Sequence, residues 1–133
     1  MAGFTTDEGQ EYIADLIYAA GTQETYTMGL FVNAAGTLTT SSVWANVTQP
    51  SGTGYAEKTL VAGTFVVDSG GEVTYPQQQW TASDDWTGGD IQGYYIRNNA
   101  GTPRLIHVQY RDDAGFSMLT GRVYTVDLSV VTT

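Results

Sequence analysis

The feature that most constrains the fold of this chain is a change of hydrophobic period at Gly21. Before Gly21, apolar residues recur at steps of three and four, which is typical of an amphipathic helix. After it, apolar and polar residues alternate in short runs separated by turn residues, which is typical of antiparallel strands. The pattern predicts a mainly β protein: an antiparallel, jelly-roll-like β-sandwich of about eight strands with one short N-terminal α-helix.

The helix is predicted to span about residues 7–20. One apolar stripe is formed by Tyr12, Ile13, Leu16, Ile17 and Ala20. Thr5 and Glu8 have the spacing of a capping box, and Gly21 is suited to the left-handed conformation that closes a helix. Because a single amphipathic helix is marginal alone, we expect it to pack on the sheet.

The strands are placed by alternation and by the turn residues between them. They are predicted at about 26–33, 55–61, 64–68, 72–75, 91–97, 104–111 and 122–131. The first strand is apolar on both sides, which favours a central position in its sheet. The stretch 43–54 is rich in turn residues and is predicted to be an irregular loop. Pro76 either ends the strand before it or marks a bulge, beyond which 77–80 would continue the strand.

The chain is predicted to form a single β-sandwich domain over residues 1–133. No internal repeat, linker or charge block divides it, and 133 residues are enough for one modest core. The sequence contains no cysteine. Disulfides, thiol nucleophiles and Cys-ligated metals are therefore excluded.

The charge balance argues against two classes of partner. Fourteen Asp and Glu against five Lys and Arg give a formal charge of −9. Phosphate binding needs clustered basic residues, so we expect no nucleic-acid partner. No run approaches the roughly 20 apolar residues of a spanning helix, so we expect no membrane partner either. The N-terminus, Met1 to Phe4, lacks the basic and then apolar pattern of a secretory signal.

His107 is the single histidine and the first residue to test for catalysis. Alternation places it on one face of its strand with Leu105 and Gln109, opposite Ile106, Val108 and Tyr110. If the second set faces the core, His107 faces solvent or a partner. General acid-base catalysis also needs a convergent nucleophile or carboxylate, which the sequence does not indicate. We therefore expect no catalytic residues and no enzyme activity.

Acidic residues can act as metal ligands or as the catalytic pair of a glycosidase. Asp84, Asp85 and Asp90 share one predicted loop, and Asp112 and Asp113 share a turn. Neither group has the alternating spacing of an EF-hand loop, and such residues are common in turns. Solvated turns are favoured, so we expect no metal and no cofactor.

Four aromatic residues are the candidates for contact with a protein partner or a glycan: Trp86, Trp44, Tyr94 and Tyr95. Trp86 is the strongest of these, because it lies in a polar loop between Asp84-Asp85 and Gly88-Gly89. The alternative is that these side chains fill the core and subunit contacts of a small sandwich.

The order of features resembles a broad group of small structural proteins of tailed bacteriophages. The resemblance begins with a short helix, continues into the strand 26–33 and then reaches the aromatic segment 54–58. It extends to the hairpin formed by 91–97 and 101–106, and to a closing strand like 121–128. It therefore covers most of the chain, through short motifs that describe a β scaffold rather than an active site.

The resemblance implies a non-enzymatic virion protein made in the host cytoplasm. A capsid decoration, or cement, protein on the exterior of the shell is the first expectation. It would be a homo-oligomer bound to the major capsid protein or to another virion protein. The alternative is a tail or fibre component that binds a receptor or a carbohydrate.

One stretch stands apart from the acidic remainder of the chain. The segment Gly29 to Gly54 contains no charged residue. An acidic surface repels other acidic surfaces, so docking is expected where the charge is absent. We therefore expect partner contacts in this neutral segment, residues 29–54, and around the loop that carries Trp86.

Overall fold

A computed structural model describes residues 3–18, 25–61, 64–67, 69 and 72–131. Within them lies one α-helix, α1, Asp7–Tyr18. The strands are β1 Phe4–Thr5, β2 Tyr26–Phe31, β3 Lys58–Leu60, β4 Val66–Val67, β5 Glu72–Thr81, β6 Gly93–Asn98, β7 Leu105–Tyr110 and β8 Val123–Val131. The predicted helix positions 19 and 20, the predicted closing residue Gly21 and position 68 of the predicted strand 64–68 lie outside the described residues.

The strands form two antiparallel sheets. A five-stranded sheet has the order β1-β7-β6-β2-β3, and a three-stranded sheet has the order β4-β5-β8. The prediction of a mainly β protein with antiparallel sheets and one short helix is confirmed. β2 lies between β6 and β3, so its predicted internal position is confirmed as well.

The strand β5 is longer than a single alternating run would suggest. It continues through Pro76, and its pairing with β8 shifts register between Tyr75 and Gln78. The bulge accommodates a residue that has no N–H for the ladder. The prediction of a strand that resumes beyond Pro76 is confirmed.

The helix begins one residue later than the predicted capping box requires. The backbone N–H of Gly9 donates to the hydroxyl of Thr6 at 3.0 Å, so Thr6 is the N-cap. Thr5 pairs with His107 in the short strand β1, which the sequence analysis did not predict. The predicted Thr5–Glu8 capping box is therefore wrong, because Thr5 is part of strand β1 and Thr6 caps the helix.

The helix packs against β7, as expected. The carboxylate of Glu8 accepts a hydrogen bond of 3.0 Å from the backbone N–H of Leu105. A Cβ on Gly9 would lie 2.4 Å from the carbonyl oxygen of Ile106. Only glycine permits this close approach of the helix to the sheet.

The two sheets contribute to one cluster of buried side chains, the inner cluster. From the five-stranded sheet it includes Met28, Leu30, Leu60, Tyr94 and Ile96, and from the three-stranded sheet Trp80, Tyr124, Val126 and Leu128. Trp80 is 1% exposed and donates its indole N–H to the carbonyl of Ala56 at 2.7 Å. The main core therefore lies where side chains of both sheets meet.

The opposite face of the five-stranded sheet is buried too. Its outer cluster consists of Phe31, Leu38, Tyr95, Leu105, Val108 and Tyr110. The partly buried side chains Phe4, Trp44 and Val47 pack against it. The central strands of this sheet are thus covered on both faces, and part of the outer cover comes from the neutral segment.

Candidate functional site

The neutral segment is held by hydrogen bonds to Tyr110 of the outer cluster and to the first residue of α1. Leu38 is 3% exposed, and its backbone N–H donates to the hydroxyl of Tyr110 at 3.1 Å. The same hydroxyl donates to the carbonyl of Ala34 at 2.8 Å. The carbonyl of Thr40 accepts a hydrogen bond of 2.7 Å from the N–H of Asp7, at the start of α1. These contacts hold residues 34–40 in place, although they form no helix or strand.

Trp44 stands on a short 3-10 turn, Trp44–Asn46, within this segment. The side-chain oxygen of Asn46 accepts a hydrogen bond of 2.8 Å from the N–H of Val43. The side chain of Asn33 donates to the carbonyl of Asn46 at 2.9 Å and accepts from the N–H of Thr48 at 2.8 Å. Two asparagine side chains therefore hold the turn, and the exposed Val43 lies beside the partly buried Trp44.

Trp44 lies over two side chains of β6. Its ring centroid is 5.0 Å from that of Tyr95, and the guanidinium of Arg97 lies 4.9 Å from the indole ring. Arg97 and Tyr95 share this face because they are two residues apart on one strand. The structure thus brings together two of the predicted contact residues, Trp44 and Tyr95, around a cation that the sequence analysis did not single out.

The charge of Arg97 is balanced within the site. Its Nε and Nη2 donate to the two carboxylate oxygens of Glu57 at 3.0 and 2.9 Å, and the hydroxyl of Tyr95 donates to Glu57 at 2.5 Å. Burial alone would raise the pKa of Glu57, but the hydrogen bonds from Arg97 and Tyr95 outweigh it and lower that pKa. Hydrogen bonding to Glu57 raises the pKa of Arg97. The pair stays ionised and adds no net charge.

Tyr55 ties the end of the neutral segment to β2. Its hydroxyl accepts a hydrogen bond of 3.2 Å from the N–H of Leu30 and donates to the side chain of Gln49 at 2.6 Å. Burial raises the pKa of Tyr55 to about 12, so the phenol keeps the proton that it donates. This contact orders the residues that follow Trp44.

Trp86 and Tyr94 lie elsewhere and are both buried. Trp86 is 8% exposed, and its indole N–H donates to the carbonyl of Thr53 at 2.9 Å. Tyr94 belongs to the inner cluster, and burial raises its pKa to about 12. Tyr95 belongs to the outer cluster beneath Trp44. Of the four predicted contact residues, Trp44 is therefore the one that the structure leaves partly exposed.

His107 is buried, which corrects the expectation that it faces solvent or a partner. It is 5% exposed and lies 6.3 Å from Tyr94, on the inner face of β7. The pairing of β6 and β7 skips Ile106, so Leu105 joins Val108 on the outer face. Simple alternation failed here because both faces of the sheet are covered and the strand contains a bulge.

The environment of His107 favours the neutral ring. Within the described part of the chain, neither ring nitrogen has a hydrogen-bond partner of normal geometry. Burial lowers the pKa of His107 to about 4, and the nearby Gln109 side chain opposes this only in part.

The acidic loop residues hold backbone groups. Asp84 accepts hydrogen bonds from the N–H and hydroxyl of Thr53, both at 2.9 Å. Asp85 accepts from the N–H and hydroxyl of Thr120 at 2.8 and 3.0 Å, and these bonds lower the pKa of Asp85. Among the side chains that the structure describes, no three His, Asp or Glu residues gather in a way that would hold a metal ion.

The arrangement around Trp44 has the chemistry of a protein-contact surface. It combines an aromatic ring, a balanced ion pair and exposed small side chains, without the charge that covers the rest of the molecule. Aromatic and arginine side chains are enriched at the energetic centres of interfaces. The sequence carries no signal for the pairing of Arg97 with Glu57, because the two residues lie 40 positions apart in it.

Comparisons with known protein families, with curated proteins and with solved structures find no match to this chain. In the described residues, no helix is long and apolar enough to cross a membrane.

Proposed function

We propose that this protein is a non-enzymatic bacteriophage virion protein, a capsid decoration protein that binds the outer shell and stabilises it. The observation that carries the proposal is the neutral segment, an uncharged and well-anchored surface on a molecule of net charge −9. The resemblance of the chain to tailed-phage structural proteins gives that surface its partner, the major capsid protein or another virion protein.

We also propose that the two sheets form an antiparallel sandwich with jelly-roll-like connections, in a single domain. The shared inner cluster supports this arrangement, because sheets that pack face to face bury one common set of side chains. A rigid scaffold of this kind suits a protein whose loops make the contacts.

The proposed action is mechanical. Each copy buries part of its surface on the capsid exterior, and every contact must break before the shell expands or ruptures. Symmetry repeats one modest interface many times over, and a homo-oligomer would engage several shell subunits together. The acidic remainder faces outward and keeps the particle soluble.

The test compares particles of the encoding phage with and without the protein. Copy number is measured by quantitative mass spectrometry, position by electron cryomicroscopy, and stability by the temperature of genome release. We expect hundreds of copies on the shell and a higher release temperature when the protein is bound. Absence from purified particles would overturn the proposal.

A matched pair of variants tests the surface itself. Val43 in the neutral segment is 38% exposed, and Val123 on the outer face of β8 is 44% exposed. Val43→Glu adds a charge to the proposed docking surface, and Val123→Glu adds the same charge to the other sheet. We expect only Val43→Glu to weaken particle binding, and equal effects would argue against the neutral segment.

The second candidate is a tail or fibre module that binds a receptor or a carbohydrate. Trp44 favours it, because a partly exposed indole beside a guanidinium is suited to stacking on a sugar ring. A few copies at one vertex, together with glycan binding that Trp44→Ala abolishes, would support this candidate. Trp86→Ala is a poor probe here, since Trp86 is buried.

A further inference from the structure

Two of the five basic residues lie around one aromatic ring, away from Trp44. The guanidinium of Arg111 lies 5.3 Å from the ring of Phe116, and that of Arg122 lies 5.5 Å from the same ring. Arg111 also lies 5.4 Å from the ring of Tyr124. We call these four residues the arginine cluster.

Each guanidinium is held in place by a backbone carbonyl. The Nε of Arg111 donates to the carbonyl of Ala114 at 3.1 Å, and Nη1 of Arg122 donates to the carbonyl of Ser117 at 3.1 Å. The Nη groups of Arg111 and the Nε and Nη2 of Arg122 make no further hydrogen bond to a described residue. Both side chains are oriented, and both keep donors available.

The cluster lacks the partner that the other stacked arginine has. Arg97 is neutralised by Glu57, whereas neither Arg111 nor Arg122 forms an ion pair within the described ranges. Asp127, which lines one groove together with Arg111, accepts a hydrogen bond of 3.0 Å from the side chain of Gln77. Two unpaired cations in one place are unusual on a chain with fourteen carboxylates and five basic residues.

A groove beside Arg111 offers space for a small group. It has a volume of about 140 Å³, and its lining includes Arg111 and Tyr124 on the side of the cluster and Asp127 as the one carboxylate. This volume is too small for a drug-sized ligand but accommodates a carboxylate side chain. The fork of an oriented guanidinium matches the two oxygens of a carboxylate.

We propose that the arginine cluster is a binding site for the carboxylates of an acidic peptide segment on a partner protein. Charge complementarity supports this site, because two oriented guanidinium groups without an ion pair among the described residues stack on Phe116, and Arg111 also lines a groove of matching size. The chain as a whole carries a charge of −9 and repels acidic partners elsewhere. Stacking on Phe116 orders both side chains before binding, which reduces the entropy lost when the partner docks. The site does not depend on the proposed virion role.

The experiment uses the full chain and a defined probe, the blocked peptide acetyl-tetraglutamate amide, at low salt. Binding is followed by the NMR signals of the Arg111 and Arg122 Nε–H groups, with acetyl-tetraglutamine amide as the uncharged control peptide. Arg111→Gln and Arg122→Gln each remove one positive charge and one guanidinium group that can bind both oxygens of a carboxylate. Lys58→Gln is the matched control, because it removes one charge from a lysine that lies over Trp80.

We expect saturable shifts with tetraglutamate alone, and a loss of affinity of about tenfold in each arginine variant. Lys58→Gln should bind as the parent protein does. Failure of tetraglutamate to bind, or equal loss in Lys58→Gln, would overturn the proposal. So would saturable binding of inorganic phosphate without binding of tetraglutamate, since it would assign the cluster to a different ligand. An unchanged indole signal of Trp86 checks that each variant is folded.

Discussion

The indole ring of Trp44 lies 4.9 Å from the guanidinium of Arg97, and the same guanidinium is bound by both carboxylate oxygens of Glu57. One cation therefore orders an aromatic side chain and is itself neutralised. A surface residue that would otherwise sample many rotamers is presented in one orientation, at no cost in net charge. Preorganisation of this kind favours binding, because less entropy is lost on docking.

The ion pair gives the first prediction. Arg97→Lys keeps the charge but removes the two-point contact with Glu57, and should lower the free energy of unfolding by about 1–3 kcal/mol. Urea denaturation measures this. In a double-mutant cycle with Glu57→Gln, we expect the two effects to be non-additive. Arg122→Lys, at an exposed site, is the control and should change stability by less than about 0.5 kcal/mol.

The second prediction separates Trp86 from Trp44. Trp86→Ala leaves a cavity in the inner cluster and removes the donor to Thr53, so it should cost about 3–5 kcal/mol. Trp44→Ala should cost clearly less, because the ring packs against the outer cluster from one side. Thermal and urea unfolding give the comparison. Equal costs would mean that Trp44 is a core residue and would weaken its assignment to a contact surface.

The third prediction concerns pH and His107. The usual pKa of histidine, 6.5, applies to the unfolded chain, and burial lowers the pKa in the fold to about 4. Between these values the unfolded state holds more protons, so lowering the pH from 6.5 to 4 should destabilise the protein by about 3 kcal/mol through this residue. Well above pH 6.5, where His107 is neutral in both the folded and the unfolded state, the residue contributes no pH dependence.

The measurement for His107 is a difference between two proteins. The free energy of unfolding is determined at several pH values for the parent chain and for His107→Leu. Carboxylates titrate in both proteins, so subtraction isolates the histidine. We expect the parent to lose more stability on acidification than the variant does. Parallel curves would contradict the buried, neutral state of His107.

The fourth prediction compares two glycines that share a left-handed backbone. Gly54 has φ +97°, and a Cβ there would lie 2.0 Å from the carbonyl oxygen of Thr81, whereas Gly36, with φ +85°, has open space. Gly36→Ala should cost about 1 kcal/mol from backbone strain alone. Gly54→Ala adds a clash with a backbone atom and should cost at least about twice as much. Calorimetric unfolding ranks the two, and a smaller cost at Gly54 would contradict the packing of that turn.

Much of the fold could be predicted from local pattern. Alternation located β2, β6, β7 and β8 to within a few residues, and Pro76 marked the bulge in β5. These features depend on residues that are close together in the sequence, so the local pattern of apolar, polar and turn residues is enough to predict them. The short strand β1 was not predicted, because two residues are too few to show an alternating pattern. Its residue Phe4 pairs with Val108, which lies 104 positions further along the chain.

The candidate site was predicted only in part, for a related reason. The absence of charge over 29–54 is visible in the sequence and led to the surface that carries Trp44. Tyr94 and Tyr95 were candidates from their residue type, and Trp86 from its position in a polar loop. All three are buried, because burial depends on which faces other segments cover. The arginine cluster lies around the one connection between β7 and β8, but the stacking of its side chains depends on how that connection folds, which no spacing in the sequence indicates.

The contact between α1 and β7 has a consequence for how this chain is made. The hydroxyl of the helix N-cap, Thr6, donates to the carbonyl of Leu105, 99 residues further along the chain. Pairing over such separations slows folding, because a long loop must close before the contact forms. As the polypeptide leaves the ribosome, its helix is synthesised first but has no docking strand until β7 emerges. We therefore expect α1 to pack against the sheet late, after most of the chain has been translated.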